Sequence, residues 1–305
     1  MPSWSEILIE LQIASKTDPA CLDTVRRKYL AKLATHTGRN TIAYYSGWLR
    51  HPNQRGTEIT DDDKNGFMAT IHGLDRAKGL DLILHTPGGE VAATESIVAY
   101  LRKMFGTDIR VIVPQLAMSA GTMIACASKE IIMGKQSNLG PIDPQFSGIP
   151  AHGVIEEFHT ALKSIKEDPA SIPLWQVIIS KYHPTFLGEC QHAITWSKDI
   201  VTQWLETAMF QGQADGKKLA KTIVDDLSDH GRMKAHARHV STDDCKKLGL
   251  KIRDMESDQV LQDLILTVHH CYMHTFANTV AIKIVENQAG VALVNHAMQQ
   301  PPQPK

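Results

Sequence analysis

LDLILHTPGGEVAATESIVAYLR, residues 80–102, decides the fold. Leu80–His85 is a short apolar run that predicts a strand, and Thr86–Gly89 supplies the proline and glycines of a turn. Glu90–Met104 then places Val91, Ile97, Val98 and Leu101 at helical spacing. The same order returns at once. Ile109–Val113 predicts a second strand, Pro114–Met118 a loop, Ser119–Ala127 a short helix of small residues, and Glu130–Met133 a third strand. Strands and helices alternating at these lengths predict an α/β protein with a parallel sheet and helical crossovers.

Working outward, residues 1–35 read as helical, with Ile7, Leu8, Leu11 and Ile13 in one stretch and Val25, Tyr29 and Leu33 in another. Asn40–Leu49 is rich in β-branched and aromatic residues and predicts a strand, followed by a loop over residues 51–60. Thr60 with Asp61–Asp63 predicts the start of a helix running towards Leu74, because acids there answer free amides and the positive dipole end. Residues 151–225 read as helical, broken near Pro169–Pro173 and at Pro184. Val240–Leu250 predicts a strand end, a helical turn opening at Ser241 or Thr242, and a glycine stop. Glu256–Glu286 predicts a long helix, and the proline-rich tail, residues 299–305, predicts disorder. The expected division is a helical extension over 1–39, a main domain over 40–254, a helical arm over 255–298, and the tail.

Thirty-two basic residues balance 33 acidic ones in the 305, so no global field recruits nucleic acid or an anionic membrane. The N-terminus has no basic leader, and apolar runs such as Ile109–Pro114 and Met123–Ala127 fall far short of the roughly 20 residues that span a bilayer. The five scattered cysteines suit reduced thiols in a cytoplasm. No phosphate-binding GxxxxGK[ST] loop is present, and no cofactor is expected.

Ser119 follows a strand and loop and opens a helix, where a developing oxyanion is favoured; a plain N-cap serine reads the same way. The glycines of TPGG can present amides to a carbonyl, or simply make a turn. The two features occur in order at the ends of two expected parallel strands, where open α/β sheets bind their ligands. His269, His270 and His274 invite a metal reading, but the run HHCYMH lacks the glutamate of HExxH, and a helix face packed on the core is the better account.

Residues 82–102 together with VIVPQLAMSAGTMIACASKEIIMGKQSNLGPIDPQ, residues 111–145, resemble the serine dehydrogenase proteinase family, distant relatives of Clp peptidase and signal peptide peptidase A. The resemblance implies a Clp/crotonase-like spiral fold, a serine peptidase acting through an acyl-enzyme on Ser119, and an oxyanion hole from Gly88 and Ala120. Where Clp peptidase carries its histidine, this sequence has Asp143. The family's Ser, Asp, His chain order implies Ser119, Asp143 and His236, with the histidine as base and the aspartate as its orienting partner. Asp143 beside Pro144 also suits a turn, and His236, between His230 and His239, also suits a solvated stretch. His239 is the nearest substitute base, and a Ser–Lys dyad would use Lys163 or Lys181. The resemblance further implies a peptide or protein substrate, a homo-oligomer, and a possible separate regulator or unfoldase. A non-catalytic scaffold of the same fold, and acyl-CoA thioester chemistry, are the rival functions.

Overall fold

The computed structural model describes residues 4–52, 54–146, 148–229 and 238–297. The chain opens with α1 (Trp4–Ala14) and α2 (Cys21–Thr37), then enters the sheet as β1 (Asn40–Ser46) and passes through α3 (Asp63–Ile71). Next come β2 (Leu80–His85), α4 (Val91–Phe105), β3 (Ile109–Val113), β4 (Leu116–Ala117), α5 (Ala120–Cys126) and β5 (Glu130–Met133). Three short strands follow, β6 (Asn138–Leu139), β7 (Gln145–Phe146) and β8 (Ile149–Pro150), and then the helices α6 (Ala151–Glu167), α7 (Ile172–Ile179), α8 (Phe186–Thr207) and α9 (Gly216–Ser228). The chain closes with β9 (Val240–Ser241), α10 (Thr242–Leu248), β10 (Ile252–Asp254), α11 (Gln259–Asn278), β11 (Ala281–Asn287) and β12 (Ala292–His296).

Strands β10, β5, β3, β2 and β1 lie side by side and parallel, as the alternation of strand and helix predicts. Side chains alternate between faces. Leu82, Leu84, Val111 and Val113 join α4, α5, α8 and α9 in one core, whereas Ile83, Ile112 and Ile132 meet Leu30, Leu33, Ile265, Tyr272 and Phe276 of α2 and α11 in the other. A small second sheet, β4–β6–β9, stands over the ends of β2 and β3.

The expected spans of β2, β3 and β5 match the strands formed, and α6 to α8 break at the expected prolines. The helix expected over 256–286 is corrected: it ends at Asn278, and the backbone turns extended at Thr279. Val280, Ile282, Ile284 and Val285 are β-branched, and the open edge of β1 offers them an antiparallel ladder from Ile42↔Asn287 to Ser46↔Lys283. β12 pairs outside β11 and becomes the new edge. The strand expected to reach Leu49 stops at Ser46, because the chain turns there: Gly47 O accepts from Arg50 N at 2.9 Å and from His51 N at 3.0 Å. The helix expected to reach Leu74 stops at Ile71. The tail, residues 299–305, lies outside the described residues.

One buried network joins α2 and α11 to the sheet. Arg26 donates to both carboxylate oxygens of Glu286, at 2.6 and 3.1 Å, and to Thr275 Oγ1. Arg27 and Tyr272 donate to the same carboxylate. Both Arg26 and Glu286 are fully buried, so Arg26→Met leaves a buried carboxylate answered only by Tyr272 and the more exposed Arg27. The expected loss is about 2–3 kcal/mol, read as a fall in the urea midpoint with the slope unchanged.

Candidate functional site

The turn after β2 is zipped to the strand that leads into α5. Thr86 N donates to Leu116 O at 3.1 Å, and Met118 N donates to Thr86 O at 3.0 Å. This parallel bridge brings the TPGG turn against Ser119. Gly88 has φ of 100°, and a Cβ there would stand 2.7 Å from Ser119 Cβ and 2.8 Å from Met118 O. Only glycine fits that approach and that backbone angle.

Ser119 is the single non-glycine residue with positive φ among the described residues, at φ 51° and ψ −116°. It lies just before α5 rather than within it, with its carbonyl already accepting from Met123 N at 3.1 Å. Its side chain makes no capping bond to the helix, so the plain N-cap reading does not hold. Thr122 Oγ1 donates to Ala117 O at 2.9 Å and accepts from Gly140 N at 2.8 Å. One hydroxyl thus ties the serine turn to the LGPIDPQ loop, and Ile142 N anchors that loop to Leu227 O on α9.

A cavity of about 640 Å³ opens at these strand ends and takes in Ser119, Gly88, Gly89 and Asp143 together. Asp143 is 3% exposed. Met123, Ile142, Phe146 and Trp196 give the cavity apolar walls, while Glu58 and Glu90 stand on its lining as acids. Gly88 N donates to Thr86 Oγ1 at 3.2 Å. Ile59 bonds the carbonyl before Gly89 and the amide after it, at 2.8 and 2.9 Å, and leaves the exposed Gly89's own amide out of that pairing.

The other candidate bases among the described residues lie elsewhere. His236 and His230 fall outside the described residues. His239 is exposed just before β9. Lys163 is on the outer face of α6, with its side chain 76% exposed and paired with Glu167, and Lys181 is exposed after α7. No histidine or lysine among the described residues lines the cavity. The run of histidines on α11 packs inward. His269 sits against Tyr45 and His85, and burial with His270 nearby pushes its pKa down to about 3. His270 and His274 hold the Trp4 ring, and His274 Nε2 lies 3.2 Å from Trp4 O. Burial and the neighbouring His269 hold His85, the last residue of β2, well below the usual histidine range, so it is neutral beside the TPGG turn.

Sequence reasoning missed two contributors. Thr122 stands in the MSAGT run and could have been read from it; the loop over 58–60, one wall of the cavity, had no local signal.

Strain at Ser119 makes a stability prediction of unusual sign. Ala normally exceeds Gly by about 0.5–1 kcal/mol in ordered elements. Here Ser119→Gly is expected to unfold at higher urea than Ser119→Ala, by about 1 kcal/mol, because only glycine accepts this backbone angle freely. Equal midpoints, or a more stable Ala variant, would show that the backbone is unstrained.

The profile of a family described as ClpP-like SDH-type serine proteinase matches residues 7–273. Two uncharacterised proteins of Methanocaldococcus jannaschii are similar: one is 31% identical over 194 residues, 64% of this chain and 60% of the relative. The other is 36% identical over 110 residues, 36% of this chain and 37% of the relative. The chain therefore spans less than two thirds of either relative's length. Among solved structures, a serine-to-alanine mutant of the 1510-N membrane-bound stomatin-specific protease is 16% identical, with a TM-score of 0.40 over 68% of this chain and 79% of that one. No helix among the described residues is long and apolar enough to cross a membrane.

Proposed function

Because the chain belongs to the ClpP-like SDH-type serine proteinases, we propose that it hydrolyses peptide bonds through an acyl-enzyme on Ser119. The observation that carries the reading is the strained Ser119 backbone facing a glycine turn in a cavity that also holds Asp143. Strain of this kind costs about 1–3 kcal/mol and persists where function requires a side chain to be presented.

In this reading the Ser119 hydroxyl attacks the scissile carbonyl, and His236 takes its proton and returns it to the leaving amine. Asp143 orients the imidazole and stabilises its cation. The His236 assignment rests on the family's Ser–Asp–His order. It is supported by Asp143 sharing the cavity with Ser119, and by the outward positions of Lys163, Lys181 and His239. In this reading the oxyanion sits between the Ala120 amide and the Gly88–Gly89 turn. Since the Gly88 amide is occupied by Thr86 Oγ1, the Gly89 amide is the freer donor of the two.

Ser119→Ala is expected to lower peptide turnover by roughly 10⁴- to 10⁶-fold while circular dichroism stays native. A fluorophosphonate probe should label the wild type at Ser119 and leave the variant untouched; full turnover in the folded variant would overturn the nucleophile.

His236→Ala should cost nearly as much, because the members of a triad act as a unit. The base must be neutral to accept the proton, so kcat/KM of the wild type should rise with pH through an apparent pKa of roughly 6–7 and fall away below it. Near-normal turnover in His236→Ala would leave Ser119 standing and remove this histidine.

A further inference from the structure

The loop that pins the glycine turn is itself gripped by a buried ion pair. Lys283 on β11 and Asp63 at the start of α3 have side chains 2% and 1% exposed, and Lys283 Nζ lies 2.8 Å from Asp63 Oδ1. The ammonium also donates to Asp63 Oδ2 at 3.0 Å and to the backbone oxygen of Glu58 at 2.6 Å. Asp63 Oδ2 accepts from Thr60 N and from Tyr44 Oη, each at 2.9 Å. Burial, with the Asp63 carboxylate beside it, pushes the Tyr44 phenol well above its ordinary pKa, so it remains a donor.

The pair therefore holds the loop on both sides of Ile59, by the carbonyl of Glu58 and the amide of Thr60. Ile59 in turn holds the glycine turn on both sides of Gly89: its amide donates to Gly88 O, and its carbonyl accepts from Glu90 N. Ser46 Oγ, donating to Thr57 O at 2.8 Å, fixes the start of the same loop. A buried ion pair is poor evidence of stability, since apolar residues of equal volume often do as well. Apolar residues could not, however, fix a carbonyl and an amide at set positions.

We propose that Lys283 and Asp63 are positioning residues for the hydrolysis on Ser119, acting through residues 58–60 to hold the Gly88–Gly89 turn where its Gly89 amide meets the oxyanion. The role rests on the peptidase reading, but the clamp itself is measurable without it. Displacement of a donor by about 1 Å can cost roughly 100-fold in rate.

The test uses the paired variant Lys283→Met with Asp63→Asn, which removes both charges and leaves no buried ion alone. Tyr44→Phe, which deletes a donor to Asp63 together with a hydroxyl that also bonds the Thr86 side chain, is the milder companion should the pair fail to fold. Hydrogen exchange is followed in the peptide over residues 86–92, together with the fluorophosphonate labelling rate of Ser119, kcat and KM. In the paired variant, the Glu90 amide is expected to exchange at least about tenfold faster. Labelling and kcat should fall together by roughly 10- to 100-fold with KM nearly unchanged. Tyr44→Phe should move each reading the same way, by about threefold. Unchanged exchange in the folded variants overturns the clamp. Faster exchange with wild-type labelling overturns the positioning role. Faster exchange in a chain whose wild type neither labels nor hydrolyses leaves the clamp standing and removes the peptidase reading instead.

Discussion

Two chain turns meet at Ser119 more closely than ordinary side chains allow, and the rest of the architecture serves that approach. A Cβ at Gly88 would collide with Ser119 Cβ, and a Cβ at Gly140 would stand 2.8 Å from the end of Met118 and 3.1 Å from Ser119 N. Two glycines from separate segments therefore close on one residue held at φ 51°. The parallel register of β2 with β3 sets the height of the first turn, and the bridge between Thr86 and Ala117 sets its lateral position. Slipping either register would open the approach and relieve the strain. The strain is thus sustained by ladders of main-chain hydrogen bonds on both sides.

The far edge of the sheet contributes through buried charge. β1 would expose its amides and carbonyls if the chain ended at α11, and β11 covers that edge. β11 also carries both Glu286 and Lys283. Glu286 faces α2 and α11, whereas Lys283 reaches the loop before α3. Residues three apart on one strand, and so on its opposite faces, thereby lock the helical layer and a wall of the cavity. A strand that looks like peripheral edge cover is coupled to the centre.

What could be read from the sequence was what is written locally. β2, β3 and β5 are short apolar runs bounded by turn residues, and their spans were legible to the residue. Ser119 and Gly88 were legible as neighbours because each follows a strand of the expected parallel alternation, whereas Asp143 was reached only through the family resemblance. β11 was misread because Ile282, Ile284 and Val285 also continue the apolar rhythm of α11, and only the open edge of β1 decides for strand. The clamp was not legible at all. Lys283 and Asp63 are 220 positions apart, and nothing near either one announces the other.

The helical lobe shows the same division between local chemistry and distant support. Residues 140–144 lead from β6 into the β7–β8 hairpin and α6, so the loop carrying Asp143 is also the root of the lobe. α8 returns against α6 through Val154, Phe186, Cys190 and Ile194, which brings Ala193 and Trp196 onto the cavity. The lobe therefore adds an apolar wall to a site whose polar groups come from strand ends. Phe146 and Trp196 give that wall an apolar surface on the cavity that Ser119 lines, so polar groups there face a medium less polar than bulk solvent, where a hydrogen bond counts for more.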